Sequence, residues 1–325
     1  MARTRLYRNG VLEKENFPVA DISECVNDPG AVVWLDICTL DGEEGLDEVE
    51  EEFGLHALAI EDAAHERQRP KLDHYGTHLF ISAYAIAINP ETMDLDSSEL
   101  AMFVMPNALI TVRKDRKFDI DEVVKRWDAT PELVKEGAGF LLYGVLDYIV
   151  DGHFQAVQDL DERIESLQDD LFDDSRDRVR EVQRKSFDLR RDLILLRRFV
   201  LPMREVVNGL MRRDVKVVGD ALMPYFQDVY DHVLRATEWT ESLRDLVSTI
   251  LETNLTIQGN RMNLIMKQVT SWAAIIAVPT AVTGFYGQNI PYPGFGNDTG
   301  LITSSLVIVG GSSALYFVFR RKGWL

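Results

Sequence analysis

Polar side chains recur along an apolar, charge-free segment near the C-terminus, residues 269–286. Ser271, Thr280 and Thr283, with a glycine after them, give this segment a polar or small-residue face. Polar groups spaced along one helix can hydrogen-bond the water shell of a passing ion. A second charge-free segment, residues 301–319, is mainly aliphatic apart from its glycines and serines. The first segment is therefore the better candidate for lining a pore.

Residues typical of enzyme active sites or of metal clusters are not grouped in this sequence. Cys25 and Cys38 have no CxxC spacing and no paired histidine, so the sequence predicts neither a zinc site nor a disulfide framework and fits a reducing compartment. His74 and His78 have an HxxxH spacing, but they lie beside an apparent strand and lack a matching carboxylate. No phosphate-binding loop or kinase-like ATP motif is present. The sequence therefore favours neither an enzyme, nor an ATP-driven pump, nor an organic cofactor.

The charged residues divide the chain into two environments. The 325 residues include 53 acidic and 35 basic side chains, for a net charge of −18. After Glu252 the only acidic residue is Asp298, so the acidic excess lies before the apolar segments. Such a field disfavours nucleic acid and anionic substrates and attracts cations, although solubility alone explains it equally well.

A cytoplasmic α/β domain is predicted for residues 1–138, and the protein as a whole is predicted to be of the α+β class. Short apolar runs alternate with helix-like segments, and prolines beside asparagines at 89–90 and 106–107 mark turns. The predicted strands are residues 31–37, 79–88, 100–105 and 108–112, and the predicted short helices are residues 46–53 and 57–65.

Long helices and a stalk are predicted for residues 139–268, where apolar residues recur at three-and-four spacing among many charged ones. The first helix covers about 140–172, and the second covers about 176–211 with a disturbance at Pro202. The third begins near Pro224 and, if unbroken to Tyr286, is roughly 95 Å long. A globular domain cannot bury that length. An apolar stripe at coiled-coil spacing predicts packing against other helices, at Trp239, Leu243, Leu246 and Ile250.

A two-span membrane module is predicted for residues 269–325, with spans at 269–286 and 301–319 that each approach the ~20 residues a bilayer core requires. A buried core helix is the alternative for either segment alone. Two such segments close together, each ending in aromatic residues, argue against it.

Basic residues flank the two spans on one side. Arg261 and Lys267 precede the first span, Arg320 and its two basic neighbours follow the second, and the connecting residues 287–300 contain no Lys or Arg. The positive-inside rule then places both termini in the cytoplasm. The protein itself is predicted to lie in the cell (inner) membrane. The N-terminus lacks an apolar core, so no cleaved secretory signal is predicted. Two helices cannot enclose a pore, so a conducting form must be a homo-oligomer.

The residues after the first span resemble a family hallmark. Tyr286-Gly287-Gln288-Asn289 is similar to the Tyr-Gly-Met-Asn motif of the CorA family of magnesium channels, and the preceding AAIIAVPTAVTGFYG and the basic ending RRKGWL also look like that family. Residues 224–232, PYFQDVYDH, resemble its stalk motif. Glu61-Asp62 followed by residues 68–71, QRPK, resembles its soluble-domain motif. The resemblance covers the chain beyond the first fifty residues, in the family's order.

The resemblance implies a pentameric divalent-cation channel with an ion path along the first span. It places the selectivity filter at Gly287, Gln288 and Asn289, where amide oxygens suit a hydrated ion that sheds its waters reluctantly. A turn at a helix end is the alternative role for these residues. Farther down the same helix, the resemblance places four pore residues, of which the last three share one helical face, namely Glu252, Asn263, Met266 and Val269. Packing against a neighbouring helix is their alternative role.

The resemblance also implies a regulatory Mg²⁺ between neighbouring subunits. Asp62 and Asp228 match the family positions that hold it, with Glu61 and His232 as lesser candidates. Carboxylates are the right ligands for a hard cation. A solvated surface role is the alternative for each of these acids.

Three functions remain open at this point. The first is a homo-oligomeric channel for Mg²⁺ influx, passing Co²⁺ or Ni²⁺ as well, that intracellular Mg²⁺ closes. The second is a Zn²⁺ transporter of the same superfamily, driven by protons. Gln288 supports this alternative because the family usually has Met at that position. The third is a membrane-tethered scaffold, which would need no polar line along the first span.

Overall fold

The structure is a computed structural model. It describes residues 2–26, 28, 30–39, 46–65, 68–171, 176–212, 215, 217–288, 291–292 and 294–325. The chain divides into two compact units, Met1–Ile250 and Leu251–Leu325.

A seven-stranded sheet forms the centre of the first unit. Its strands lie in the order β2-β1-β3-β7-β6-β5-β4, and every neighbouring pair is antiparallel except β3 with β7. The strands are β1 (Ala2–Arg8), β2 (Val11–Glu15), β3 (Ala31–Cys38), β4 (Lys71–His74), β5 (Leu79–Ile88), β6 (Leu95–Met105) and β7 (Ala108–Arg113).

Helices lie between the strands of this sheet along the chain and follow its last strand. They are α1 (Ile22–Val26), α2 (Leu46–Phe53), α3 (Ala57–Ala64), α4 (Ile120–Ala129), α5 (Pro131–Val134), α6 (Ala138–Asp170), α7 (Arg176–Leu210), α8 (Met223–Tyr286) and α9 (Asp298–Arg321). The predicted fold class is confirmed: a sheet domain comes first, and one long helix continues into the first apolar C-terminal segment.

Two hydrophobic cores cover the two faces of the sheet. Successive strand residues point to opposite faces, so Ile81 of β5 joins one core while its neighbour Phe80 joins the other. The first core includes residues of α4, α6, α7 and α8, and the second includes residues of α1, α2 and α3. Because both faces are covered, β5 and β7 are mostly apolar, which made them recognisable in the sequence.

Several elements differ from the sequence prediction. β1, β2, β4 and α4 were not predicted, and β6 begins five residues before the predicted strand at 100. β1 has the sequence ARTRLYR, whose arginines hide its strand character. One of them, Arg5, is buried because its guanidinium hydrogen-bonds Asp128 at 2.8 Å and Glu15 at 3.0 Å. α7 is continuous through Pro202, where the sequence predicts a disturbance, since the fully buried Val200 and Met203 anchor it on both sides.

A close contact between Gly144 of α6 and Trp127 of α4 yields a stability prediction. A Cβ added at Gly144 would overlap the indole Nε1 of Trp127, which donates a hydrogen bond to the carbonyl of Leu141 at 3.2 Å. We expect Gly144→Ala to destabilise the first unit, Met1–Ile250, by about 1–3 kcal/mol, as overpacking does elsewhere. Thermal unfolding of the full chain, followed by tryptophan fluorescence, measures it. Gly76→Ala is the control, because its Cβ would meet nothing within 4 Å; equal melting temperatures for both variants would contradict the prediction.

Candidate functional site

Two helices of the second unit have the length and apolar composition needed to cross a membrane. They are the C-terminal part of α8 and the 24-residue α9. Almost none of their apolar surface is buried within the chain. Exposed apolar surface of this extent requires lipid or another protein surface to cover it. The exposed residues include Trp272, Ile276, Phe285, Leu301, Ile302, Leu306, Val309 and Phe317.

The hydroxyl groups of the first span are already used within the helix. Ser271, Thr280 and Thr283 donate to the carbonyls four residues earlier, at 2.7, 2.9 and 2.8 Å. Such a bond uses the hydroxyl hydrogen, but the lone pairs of the hydroxyl oxygen can still accept a hydrogen bond. Ser271 is also fully buried, so the exposed polar face is shorter than the sequence predicts. Thr280 and Thr283 are exposed, and their hydroxyl oxygens can accept further hydrogen bonds.

The Gly-Gln-Asn motif begins where α8 ends. The amide of Gly287 bonds the carbonyl of Thr283 at 2.8 Å, and that of Gln288 bonds the carbonyl of Phe285 at 3.3 Å. Asn289 lies outside the described residues. The Tyr292 hydroxyl donates to the carbonyl of Tyr286 at 3.2 Å. The last carbonyls of a helix carry a partial negative charge, which attracts cations.

Aromatic rings surround this helix end. The ring of Tyr292 lies 4.8 Å from that of Tyr286 and 5.2 Å from that of Phe295. The rings of Phe285 and Tyr286 are 5.7 Å apart. Aromatic side chains commonly lie at the membrane interface. Their grouping fits a helix that ends near the bilayer surface.

The predicted pore residues lie on the exposed surface of α8. Glu252, Asn263, Met266 and Val269 are all exposed. Asn263 and Met266 also line a cavity of about 360 Å³ together with Trp324 of the C-terminal tail. The structure therefore brings Asn263 and Met266 to one surface.

The predicted regulatory carboxylate Asp62 lies near the end of α3, beside β4. Its Oδ2 is 2.6 Å from the ammonium of Lys71, which is also 2.7 Å from a carboxylate oxygen of Asp73. These residues line a cavity of about 440 Å³ together with Glu61 and His74. His78, the other histidine of the HxxxH spacing, is instead buried, with its Nδ1 2.9 Å from the Thr77 hydroxyl.

The other predicted carboxylate, Asp228, is exposed on the first turns of α8. Burial raises the pKa of the Tyr143 phenol on α6, and the negative charges of Asp147 and Asp228 raise it further. Burial, followed by the charge of Asp151, raises the pKa of the Asp147 carboxyl. His232 is partly buried, with its ring stacked 6.3 Å from that of Phe154. His232 thus faces an aromatic ring, which weakens its case as a ligand.

The four regulatory candidates form two groups in one chain. Glu61 and Asp62 share the cavity beside Lys71, while Asp228 and His232 lie one turn apart on α8. Among the described residues, no three His, Cys, Asp or Glu side chains are grouped so that they could hold a metal ion. Sequence reasoning assigned no role to Lys71 or Asp73. Lys71 lies within the QRPK motif, but its ion pair with Asp62 forms only when β4 packs beside α3.

These observations define a class: a protein with an acidic α+β unit and two candidate C-terminal membrane helices. The family model described as CorA-like Mg2+ transporter protein matches residues 29–321. The chain belongs to this family, whose members are membrane metal-ion transporters and not enzymes.

Relatives agree with this membership. The chain is 27% identical over 318 residues to the cobalt/magnesium transport protein CorA of Thermotoga maritima, covering 96% of this chain and 90% of the relative. It is 22% identical over 263 residues to the zinc transport protein ZntB of Yersinia pseudotuberculosis, covering 81% and 79%. The complete structure of the CorA magnesium transporter from Methanocaldococcus jannaschii superposes with a TM-score of 0.80 at 23% identity, covering 100% of this chain and 99% of that one. This structural likeness establishes the fold.

Proposed function

We propose that this divalent-metal transporter is a homo-oligomeric channel, a pentamer, that carries Mg²⁺ inward along the membrane potential. Co²⁺ and Ni²⁺ are further substrates. The channel lies in the inner membrane with both termini in the cytoplasm, and it needs no organic cofactor and no nucleic acid. Its parts are a cytoplasmic domain at 1–138, long helices and a stalk at 139–268, and a membrane module at 269–325.

The observation that carries this proposal is the continuity of α8. One helix of 64 residues bears Asp228 near its start and ends at Tyr286, immediately before Gly287. Secondary-structure elements are among the structures that can carry coupling between distant sites. Regulation near Asp228 and selection after Tyr286 can therefore act on one element.

Selection in the proposed channel takes place at Gly287, Gln288 and Asn289. Copies of α8 around an axis would direct their negatively polarised ends, together with Gln288 and Asn289 amide oxygens, toward the ion. Mg²⁺ retains its water, so oxygens that accept hydrogen bonds from that water can select it without trapping it. Below the filter, Asn263 supplies a polar ring, Met266 and Val269 close the pore by excluding water, and Glu252 attracts cations at the cytoplasmic end.

Regulation in the proposed channel depends on Mg²⁺ held between Asp62 of one subunit and Asp228 of the next. Both carboxylates are accessible to solvent, and carboxylates are suitable ligands for this ion. Glu61 contributes charge from the same cavity, and His232 has a lesser role. The held ion favours the closed assembly because it binds that arrangement more tightly than the open one.

A Zn²⁺ transporter is the second candidate. Two observations favour it: the similarity to ZntB, and Gln288 at the position where the resembled motif has Met. Proton coupling would accompany this alternative.

Uptake into liposomes containing the purified protein separates the two candidates. Mg²⁺, Co²⁺, Ni²⁺ and Zn²⁺ are offered separately, with a pH gradient imposed or absent. We expect Mg²⁺ uptake that is independent of the pH gradient. Zn²⁺ uptake that requires the gradient, with no Mg²⁺ uptake, would replace the first candidate by the second.

A further inference from the structure

A lysine ammonium already lies against the predicted regulatory carboxylate. Lys71 of β4 extends its Nζ to within 2.6 Å of Asp62 and 2.7 Å of Asp73. The same Nζ lies 5.4 Å from the ring centroid of Phe80, within the range of a cation–π interaction. The three charged side chains are each less than two-fifths exposed. The ammonium is therefore already paired with one of the two oxygens of Asp62, to which a cation would otherwise bind.

Three charged side chains meet at this point, one ammonium and two carboxylates. The two carboxylates and the ammonium sum to a charge of −1, compared with −2 for the carboxylates alone. A divalent ion is attracted far less strongly to the first arrangement than to the second.

We propose that Lys71 is a tethered cation that competes with the regulatory Mg²⁺ for Asp62 and so raises the Mg²⁺ concentration needed for closure. Asp73 holds the ammonium in place while the ion is absent. An ion that approaches Asp62 must either displace the ammonium or bind beside a like charge. The inference rests on the proposed regulatory role of Asp62.

The test compares full-length, assembled protein with and without the Lys71 charge. Mg²⁺ is titrated while protection of the first unit, Met1–Ile250, from protease is measured. Calorimetric Mg²⁺ binding is the second readout. We expect Lys71→Gln to lower the midpoint on the order of tenfold, from the repulsion between a unit charge and a divalent charge about 4 Å apart in screened solvent. Lys71→Met, which keeps an unbranched side chain without the charge, gives the same shift and separates it from a packing defect.

Two matched variants test whether the shift depends on the positive charge at residue 71 and on the position of that lysine. Lys71→Arg retains the cation and holds carboxylates at least as firmly, so its midpoint stays at or above that of the parent. Lys117→Gln removes another lysine of the same unit, one that pairs with Asp96 at 2.9 Å, and leaves the midpoint unchanged.

Two failures can be told apart. If Lys71→Gln and Lys71→Met bind Mg²⁺ no more tightly than the parent while Asp62→Asn abolishes protection, the competition is overturned and the regulatory site stands. If Asp62→Asn leaves Mg²⁺ protection unchanged, the regulatory site itself is wrong, and the role of Lys71 fails with it.

Discussion

Replacing Asn289 with alanine is expected to abolish selective Mg²⁺ uptake while the protein still folds and assembles. Asn289 follows the end of α8 by three residues, where Gly287 and Gln288 continue from Tyr286. A hydrogen bond to a charged partner contributes about 1.5–3 kcal/mol. Losing this amide from every subunit should therefore lower the Mg²⁺ flux by at least about tenfold. Flux into liposomes and the elution volume on size exclusion are measured on the same preparation.

Gln288→Met is the matched variant for Asn289→Ala. It changes the adjacent residue to the one that the resembled motif usually has, so we expect transport to continue, with an altered preference among divalent ions. Normal Mg²⁺ flux through Asn289→Ala would remove Asn289 from the filter. An inactive Gln288→Met protein would show that the geometry of this filter depends on glutamine.

Removing both regulatory carboxylates is expected to keep the channel open at Mg²⁺ levels that close the parent. A ligand shifts an equilibrium only through its different affinities for the two states, and equivalent sites in several subunits add their preferences. Asp62→Asn with Asp228→Asn should raise the inhibitory Mg²⁺ concentration by at least about fivefold, the lower end of typical coupling. Protection from protease by Mg²⁺ should be lost as well, because bound ion no longer stabilises the closed arrangement.

A charge-matched control tests whether these positions are special. Asp231 and Asp245 are exposed acids on the same helix as Asp228. Asp231→Asn with Asp245→Asn removes two negative charges and should leave both inhibition and protection as in the parent. If the inhibition curves of the parent and of Asp62→Asn with Asp228→Asn coincide, these two carboxylates are ordinary surface acids.

The parts of the fold that were predictable have strong local patterns. The strand at residues 79–88 was predicted to the residue, because both of its faces are buried and nearly every side chain is apolar. α8 was predictable because its apolar positions keep a helical period and no proline lies between Pro224, at its start, and Pro279. The span predictions followed from two charge-free apolar segments, each nearly long enough to cross a bilayer and each ending in aromatic residues.

The parts that were missed depend on partners distant in sequence. Arg5 makes β1 look polar until Asp128, more than a hundred residues later, pairs with it. The two carboxylates around Lys71 likewise come from two elements, α3 and β4. Neither pairing leaves a periodic signature, so no single-sequence pattern could indicate it.

Potential-driven Mg²⁺ entry into liposomes tests the proposed channel most directly. Protein is reconstituted with no internal Mg²⁺, an inside-negative K⁺ diffusion potential is imposed at equal pH on both sides, and an internal dye reports Mg²⁺. We predict entry that increases with the size of the potential and slows as internal Mg²⁺ accumulates. Entry that ignores the potential and requires an opposing proton gradient, or no Mg²⁺ entry at all, would contradict a Mg²⁺ channel.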